Sequence, residues 1–384
     1  MQQTSSVIST YSADTFGVCS MLYELGGMVV MHDASGCNST YSTHDEPRWN
    51  KIRSNIFVSA VTQMEALMGD EEKFITDVIA AAKDLNPKFI AICGTPIPTM
   101  VGFDFEAVAR VIEARTSIPS IGVASTGMKS YVDGASKALL KIVKRIVSAR
   151  NVSRETLEKS ASKESDAAKR VSVLGVTPLD FSINGQDKSI TSFLESKGYD
   201  VLGNFCMDVE LSDIGNITSS DETLVVSAIG YEAAKFLKEE YDIPYEIGLP
   251  INGVLHKKIT NDITSDKRIA ILGEGVTSYS IALSIINTLG VKTVPIVTVD
   301  IAKDLLDRMN TVTETKHLIY EDDIKEELKN YDIVIADPLF RPIVGKDKAF
   351  INLPTECFSG RIYRKDIPDI VATSFIEDAV KKYL

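Results

Sequence analysis

The sequence predicts an α/β protein built from three Rossmann-like βα domains with mainly parallel sheets. One pattern occurs three times: a basic residue, a short apolar run and a small-residue loop, as Lys88-FIAIC-Gly94, Lys169-RVSVL-Gly175 and Lys267-RIAIL-Gly273. Each run is followed by helix-like sequence, and short apolar runs bounded by glycine that alternate with amphipathic segments indicate parallel βα units. The chain has 384 residues, which at about 150 per domain makes two or three domains.

The elements follow in order. Met28–Met31 is an apolar run. Asp70 starts a helix whose Glu71 and Glu72 suit a positive helix N-terminus, with Phe74, Val78, Ile79, Ala82 and Leu85 recurring on one face. Phe89–Cys93 and Ser120–Ala124 read as buried strands. Ser148–Asp166, rich in Ser, Lys and Glu, fits a linker and an exposed helix equally well. Further strands are expected at Leu224–Ala228, Thr293–Val297, Ile333–Ala336 and Ala349–Leu353. Tyr231–Tyr241 reads as a helix ended by Asp242-Ile243-Pro244. Ser278–Leu289 reads as another, closed by Gly290. The polar stretch Lys258–Lys267 precedes the third repeat. The expected domains are 1–150, 167–258 and 259–384, and ligands in such sheets lie beyond the carboxyl ends of the strands.

Composition excludes several classes. Hydrophobic residues make up 44% and charged residues 24%, an ordinary globular balance that can bury a sizeable core. With 41 Lys+Arg against 53 Asp+Glu, the net charge is −12. That argues against nucleic-acid and anionic-membrane partners, which need positive potential. The N-terminus has no basic region followed by an apolar stretch, and no apolar run approaches the ~20 residues that span a bilayer. A cytoplasmic location is expected. Five cysteines in so long a chain do not make a disulfide framework, and clustered cysteines in a reducing compartment point to metal or redox chemistry.

Cys19, Cys37 and Cys93 fall in the first domain, Cys206 and Cys357 in the second and third. Cys19 is expected near the start of a helix, where a thiol loses its proton easily. Cys37 follows Gly36 in a loop, and Cys93 ends an apolar run before Gly94-Thr95-Pro96. Taken singly, each cysteine reads as a small buried hydrophobe; three in one domain, each beside glycine or at an element end, read as a thiolate metal site. The spacings of 18 and 56 residues fit neither a zinc finger nor a compact ferredoxin motif.

Directly after Cys37, the segment Tyr41-STHDEPRWN gathers His44, Asp45, Glu46, Arg48 and the only tryptophan, Trp49. His44, Asp45 and Glu46 are candidate proton donors, and Arg48 a candidate carboxylate clamp. A solvated loop anchored by Trp49 is the competing reading. Gly273-Glu-Gly275 lacks the last glycine of a dinucleotide fingerprint and reads as a tight βα turn. No Walker P-loop is present. His256 and His317 have no partners at metal-ligand spacing and read as structural.

Three stretches carry a family resemblance. Cys19-SMLYELGGMVVMHDASG-Cys37 is similar to a first cysteine, a glycine-containing helix and a His-Gly-x-x-Gly-Cys segment, with Asp33 in place of the first glycine. Glu65-ALMGDEEK is similar to Glu-x-x-x-x-Gly before a long helix. Ile92-Cys93-GTPIPTMVGFDF looks like a cysteine followed by a Gly-Asp-Asp turn, here Gly102-Phe103-Asp104. These resemble the component 1 family of nitrogenase and its relatives, among them the dark-operative protochlorophyllide reductases. The resemblance implies the family's three-domain fold. It also implies that Cys19, Cys37 and Cys93 bind an iron–sulfur cluster, four-iron four-sulfur or P-cluster-like, at a subunit interface. Three ligands per chain against the usual four supports an interface independently; Cys206 and Cys357, in other domains, are less expected to complete the set. Amides around Gly36, Gly94 and Thr95 would hydrogen-bond the sulfurs.

The implied partners are a second copy or a sister component 1 subunit, in a dimer or heterotetramer, and an ATP-dependent iron-protein reductase. The implied function is an iron–sulfur oxidoreductase subunit that takes low-potential electrons and reduces a substrate in the interdomain cleft. The alternative is an assembly scaffold that holds and transfers a precursor metallocluster. The family's cofactor cysteine in the second domain would fall near Ser227, and the single third-domain histidine, His317, lies in a polar stretch. A nitrogenase-type cofactor held by those ligands, and dinitrogen reduction, are therefore not expected.

Overall fold

The structure is a computed structural model and describes residues 5–10, 13–34, 38, 41, 45–69, 71–149 and 168–384. Among the described residues three sheets are present, all of their strand pairs parallel. The first contains β1 (Met28–His32), β2 (Ile56–Val58), β3 (Ile90–Gly94) and β4 (Ser120–Val123) in the order β2-β1-β3-β4. The second contains β5 (Lys169–Leu174), β6 (Tyr199–Phe205), β7 (Glu222–Val225) and β8 (Tyr245–Ile247) in the order β6-β5-β7-β8. The third contains β9 (Ser265–Gly273), β10 (Val291–Val297), β11 (Lys316–His317), β12 (Ile333–Ala336) and β13 (Ala349–Asn352) in the order β11-β10-β9-β12-β13.

Each of the three recurring runs becomes an interior strand, β3, β5 or β9, which is why its apolar residues are continuous and not alternating. The winding is the same in all three sheets. The chain steps outward to one side of the first strand, then crosses back to the other. The reversal falls between β1 and β3, β5 and β7, and β9 and β12. A crevice outside the carboxyl ends at such a reversal is where doubly wound sheets bind ligands.

The first sheet is covered by helices on both faces. Val29, Met31, Ala91 and Cys93 join one core with α1 (Asp14–Leu22) and α6 (Tyr131–Ala149). Met28, Val30, Ile90 and Ile92 face the other way, against α3 (Glu71–Leu85) and α5 (Phe105–Thr116). This alternation follows from the two-residue period of a strand. Two glycines let α1 and α6 touch backbone to backbone. A Cβ at Gly17 would stand 1.9 Å from the Tyr131 carbonyl oxygen, and one at Gly134 would stand 1.8 Å from that of Asp14.

Most expected elements sit where periodicity puts them. Tyr231–Tyr241 is helical over that span and ends at Asp242 with φ 56°. The helix expected from Ser278 starts three residues earlier, at Gly275, because the Glu274 side chain accepts from the amides of Val276 and Thr277 at 3.0 and 2.8 Å. The strand expected at Leu224–Ala228 is shifted to Glu222–Val225, since the chain leaves the sheet at Ser227, whose hydroxyl turns back to the Gly175 carbonyl at 2.7 Å. Asp70 and most of Ser148–Asp166 lie outside the described residues. Among the described residues, no helix is long and apolar enough to cross a membrane.

Candidate thiol site and interdomain cleft

Cys19 and Cys93 meet. α1 lies across the face of the first sheet that carries Cys93, so the two thiols share one buried core and lie close enough to influence each other's charge. Both are free and fully buried. The Cys93 thiol also lies 3.8 Å from the Val30 carbonyl. Cys19 is not at a helix start. Helix α1 begins five residues earlier, at Asp14, so the thiol sits in the second turn beneath the sheet. Burial therefore pushes its pKa well up, reinforced by Cys93 and by the Glu46 carboxylate. The expected lowering by a helix N-terminus is replaced by its opposite. The Cys19 thiol, buried near a carboxylate, favours its protonated form. By donor chemistry the pair suits a thiophilic metal such as iron, while among the described residues no group of three or more His, Cys, Asp or Glu is placed to hold a metal ion.

Gly36, Cys37 and His44 lie outside the described residues. The residues around them are well tied. Asn38 Nδ2 donates to Asp33 Oδ2 at 2.7 Å, and Thr95 Oγ1 donates to Asp33 Oδ1 at 2.8 Å. Thr15 Oγ1 donates to the Gly94 carbonyl at 2.6 Å. The reversal point between β1 and β3 is thus stitched to the start of α1. The Gly94 amide donates to Ser125 Oγ at 2.8 Å. It is not directed at a sulfur as expected, because the loop after β4 supplies a nearer acceptor.

Glu46 and Arg48 were expected to face a substrate and instead face each other. The Arg48 guanidinium is buried and makes four bonds: Nε to Glu46 Oε1 at 2.7 Å, Nη1 to Glu24 Oε1 at 3.0 Å and to the Cys206 carbonyl at 3.2 Å, and Nη2 to the Ser20 carbonyl at 2.6 Å. Burial alone would lower the Arg48 pKa, but Glu46 and Glu24 outweigh it and raise it. Glu46 is pushed up by burial despite Arg48. The donors expected to clamp a carboxylate are spent on the chain's own groups. Nor does Trp49 anchor the loop: it is 42% exposed, and Arg48 is the anchor. Asp45 is half-buried. This network fixes the carbonyl next to Cys19 and joins α1 to Cys206, which places that cysteine's backbone against the first module, although its sequence position suggested distance.

A second convergence lies where the three modules meet. The Tyr131 hydroxyl, at the start of α6, donates to Asp180 of the second module. Glu274, at the reversal point of the third sheet, accepts from the Ala228 amide of the second at 2.8 Å. Burial pushes Asp180 well up, reinforced by Glu274, and burial also raises Glu274. Cys357, beside them, is pushed well up by burial and by Asp180, while contacts to Thr355 and Tyr131 oppose the rise. A cleft of about 620 Å³ between the first and third modules reaches this junction, lined by Tyr131 and Cys357. Sequence reading missed Tyr131, Asp180 and Glu274 as a group, because three helix starts far apart in the chain supply them. The only signal was that Gly175-VTPLDFSING and Gly273-Glu-Gly275 each follow a predicted strand. His256 and His317 are structural, bonded through Nδ1 to Asn287 at 3.1 Å and through Nε2 to the Val299 carbonyl at 3.0 Å.

Comparisons with known proteins agree on one family. The family described as nitrogenase component 1 type oxidoreductase matches residues 15–254. The nitrogenase iron-molybdenum cofactor biosynthesis protein NifE of Clostridium pasteurianum is 23% identical over 196 residues, 51% of this chain and 40% of that protein. NifN of Bradyrhizobium diazoefficiens is 26% identical over 127 residues, 32% of this chain and 27% of that protein. The chain thus matches well under half the length of these relatives. The structure of nitrogenase Cp1 at pH 6.5 superposes with a TM-score of 0.67 at 15% identity, covering 99% of this chain and 94% of that one. That likeness establishes the fold.

Proposed function

The chain belongs to the nitrogenase component 1 type oxidoreductase family, and from that premise we infer that Cys19, Cys37 and Cys93 together hold an iron–sulfur cluster at an interface between two subunits. The observation that carries this reading is the meeting of Cys19 and Cys93 from separate elements in one buried pair. Cys37 belongs to the stretch between Asp33 and Asn38, which bond each other at the same reversal point. Three thiols per chain leave a four-iron cluster one ligand short, and a second copy or sister subunit completes it. An apolar surface for such a partner is at hand. α4 (Pro96–Met100) leaves directly from Thr95, and its Met100 is 85% exposed; Met128 nearby is 82% exposed.

When bound, the cluster supplies one-electron chemistry at low potential. The chain's own residues position it and handle protons. Arg48 is a positioning residue that holds the backbone beside Cys19. Tyr131 and Asp180 hold a proton at the inner end of the cleft. On this reading the chain takes electrons from an ATP-dependent iron-protein reductase and reduces a substrate in that cleft. A second reading has the chain hold a precursor cluster there and hand it on; it is favoured by the relatives named as cofactor biosynthesis proteins.

Anaerobic reconstitution followed by iron and sulfide analysis tests the shared premise. The expected result is bound iron with an electron paramagnetic resonance signal that Cys93→Ala and Cys37→Ala each abolish while the far-ultraviolet circular dichroism stays unchanged. A colourless, iron-free protein would sink it. ATP-dependent turnover with an iron-protein reductase favours the oxidoreductase; cluster release to an acceptor protein without turnover favours the scaffold.

A further inference from the structure

The first sheet has a second feature at the same reversal point, on the face away from the thiols. His32 ends β1 and points to the α3–α5 side, where a cavity of about 270 Å³ opens. Its walls include Val30, Phe57, Phe74, Val78, Val101 and Phe103. The His32 ring is held between two of them, 4.4 Å from Phe74 and 4.2 Å from Phe103 between centroids. Its Nδ1 bonds Ser59 Oγ at 2.9 Å. Its Nε2 has no hydrogen-bond partner among the described residues, although the residue is only 8% exposed and lines the cavity. The imidazole is neutral at pH 7, since burial lowers its pKa to about 4.

We propose that this cavity is a binding site for a small, uncharged aromatic molecule bearing one hydroxyl group, which seats its ring among the apolar walls and its hydroxyl on His32 Nε2. Size supports this, since an apolar cavity of ~150 Å³ already takes a benzene ring. Charge supports it too. The polar lining carries Glu65, Glu71 and Asp77 against Lys73, with Lys73 paired to Glu65 and to Asp77 at 2.9 Å each, so an anion would meet a net negative wall. The hydroxyl follows from the imidazole. Ser59 Oγ is placed to donate to His32 Nδ1 or to accept from it, so Nε2 is a donor in one tautomer and an acceptor in the other. A hydroxyl serves both. A cavity whose apolar wall presents one ring nitrogen without a protein partner among the described residues favours the ligand that bonds it.

The test titrates the full chain with p-cresol and with toluene, followed by ligand-observed nuclear magnetic resonance. Both are expected to bind saturably, p-cresol about tenfold more tightly, the effect of one hydrogen bond. His32→Phe, which keeps the ring and loses the nitrogen, is expected to erase that difference while toluene still binds. Ala81→Trp, which fills the cavity from α3, is expected to abolish both; if that variant does not fold, Val101→Trp at the exposed rim serves the same purpose. Absence of saturable binding, binding that survives the filling variant, or toluene binding as tightly as p-cresol would each overturn the proposal. None of these readouts involves iron, so the result is independent of the thiol site.

Discussion

The two faces of the first sheet are separated by one residue of strand register, and they are built to opposite specifications. On the thiol face, Cys93 lies against α1, both cysteines are fully buried, and α1 meets α6 through two glycines with no space for a methyl group. On the imidazole face, His32 borders a cavity, and exposed apolar side chains such as Val101 line its rim. The neighbouring register pairs Met31–Cys93 and His32–Gly94 put the two within a few ångströms along the strand. The difference teaches that one reversal point offers two kinds of environment, one closed to water and one open.

The comparison can be broken most severely at Arg48. Arg48→Ala leaves Glu46 and Glu24 in the interior without their cation and frees the carbonyls of Ser20 and Cys206. A loss of about 3–5 kcal/mol is expected in urea unfolding; a loss under about 1 kcal/mol would show that the thiol face does not depend on this clamp. Gly134→Ala comes next. Its new methyl group would collide with the Asp14 backbone, and a destabilisation of about 3 kcal/mol is expected by the same measurement.

The other face is probed by acid. Burial holds the His32 pKa near 4 in the folded chain, whereas the unfolded chain takes up the proton near 6.5. The unfolded state therefore binds more protons between these values. The stability that His32 contributes is intact above about pH 6.5, falls as the pH drops, and levels off below about 4. Between pH 7 and pH 4.5 wild type is expected to lose about 2–3 kcal/mol more than His32→Phe; equal losses would place the imidazole in water. The smallest effect is expected for Ala81→Leu, which adds volume beside the cavity. A change within about 1 kcal/mol is anticipated, against about 3 for the single methyl at Gly134, and a melting series of the two variants measures the contrast.

How much of this was legible depended on how local the cause was. Ile333–Ala336 and Tyr231–Tyr241 came out at their expected bounds because each is framed by its own punctuation, a β-branched run in one case and an Asp-Ile-Pro stop in the other. Three sheets wound alike follow from a repeat visible by eye. The meeting of Cys19 with Cys93 was legible only as chemistry, since 74 residues separate them. Where α1 begins was not legible, and with it the direction of the Cys19 pKa. Asp14 looks like an ordinary cap, yet its carboxylate is buried and accepts the amides of Thr126 and Gly127 at 2.8 and 2.6 Å, pinning the helix start to a loop from beyond β4. Arg48 was misread for the same reason. Its partners come from α1, from its own loop and from the second module, and no spacing rule connects them.

The bonds that hold the first module to its neighbours differ in depth within each seam. Toward the second module, the bond from Arg48 to the Cys206 carbonyl is buried and that from Tyr131 to Asp180 is partly so, while the Lys88–Glu210 ion pair at 3.2 Å is exposed. Toward the third they lie beside the large cleft, where Asp300 accepts from the Ser130 amide at 2.6 Å and pairs with the exposed Lys129 at 3.4 Å. Water competes for the exposed ion pairs of both seams and not for the Arg48 bond. Each seam of the first module thus carries a contact that salt would loosen, and Lys129 stands beside the cleft that reaches the junction.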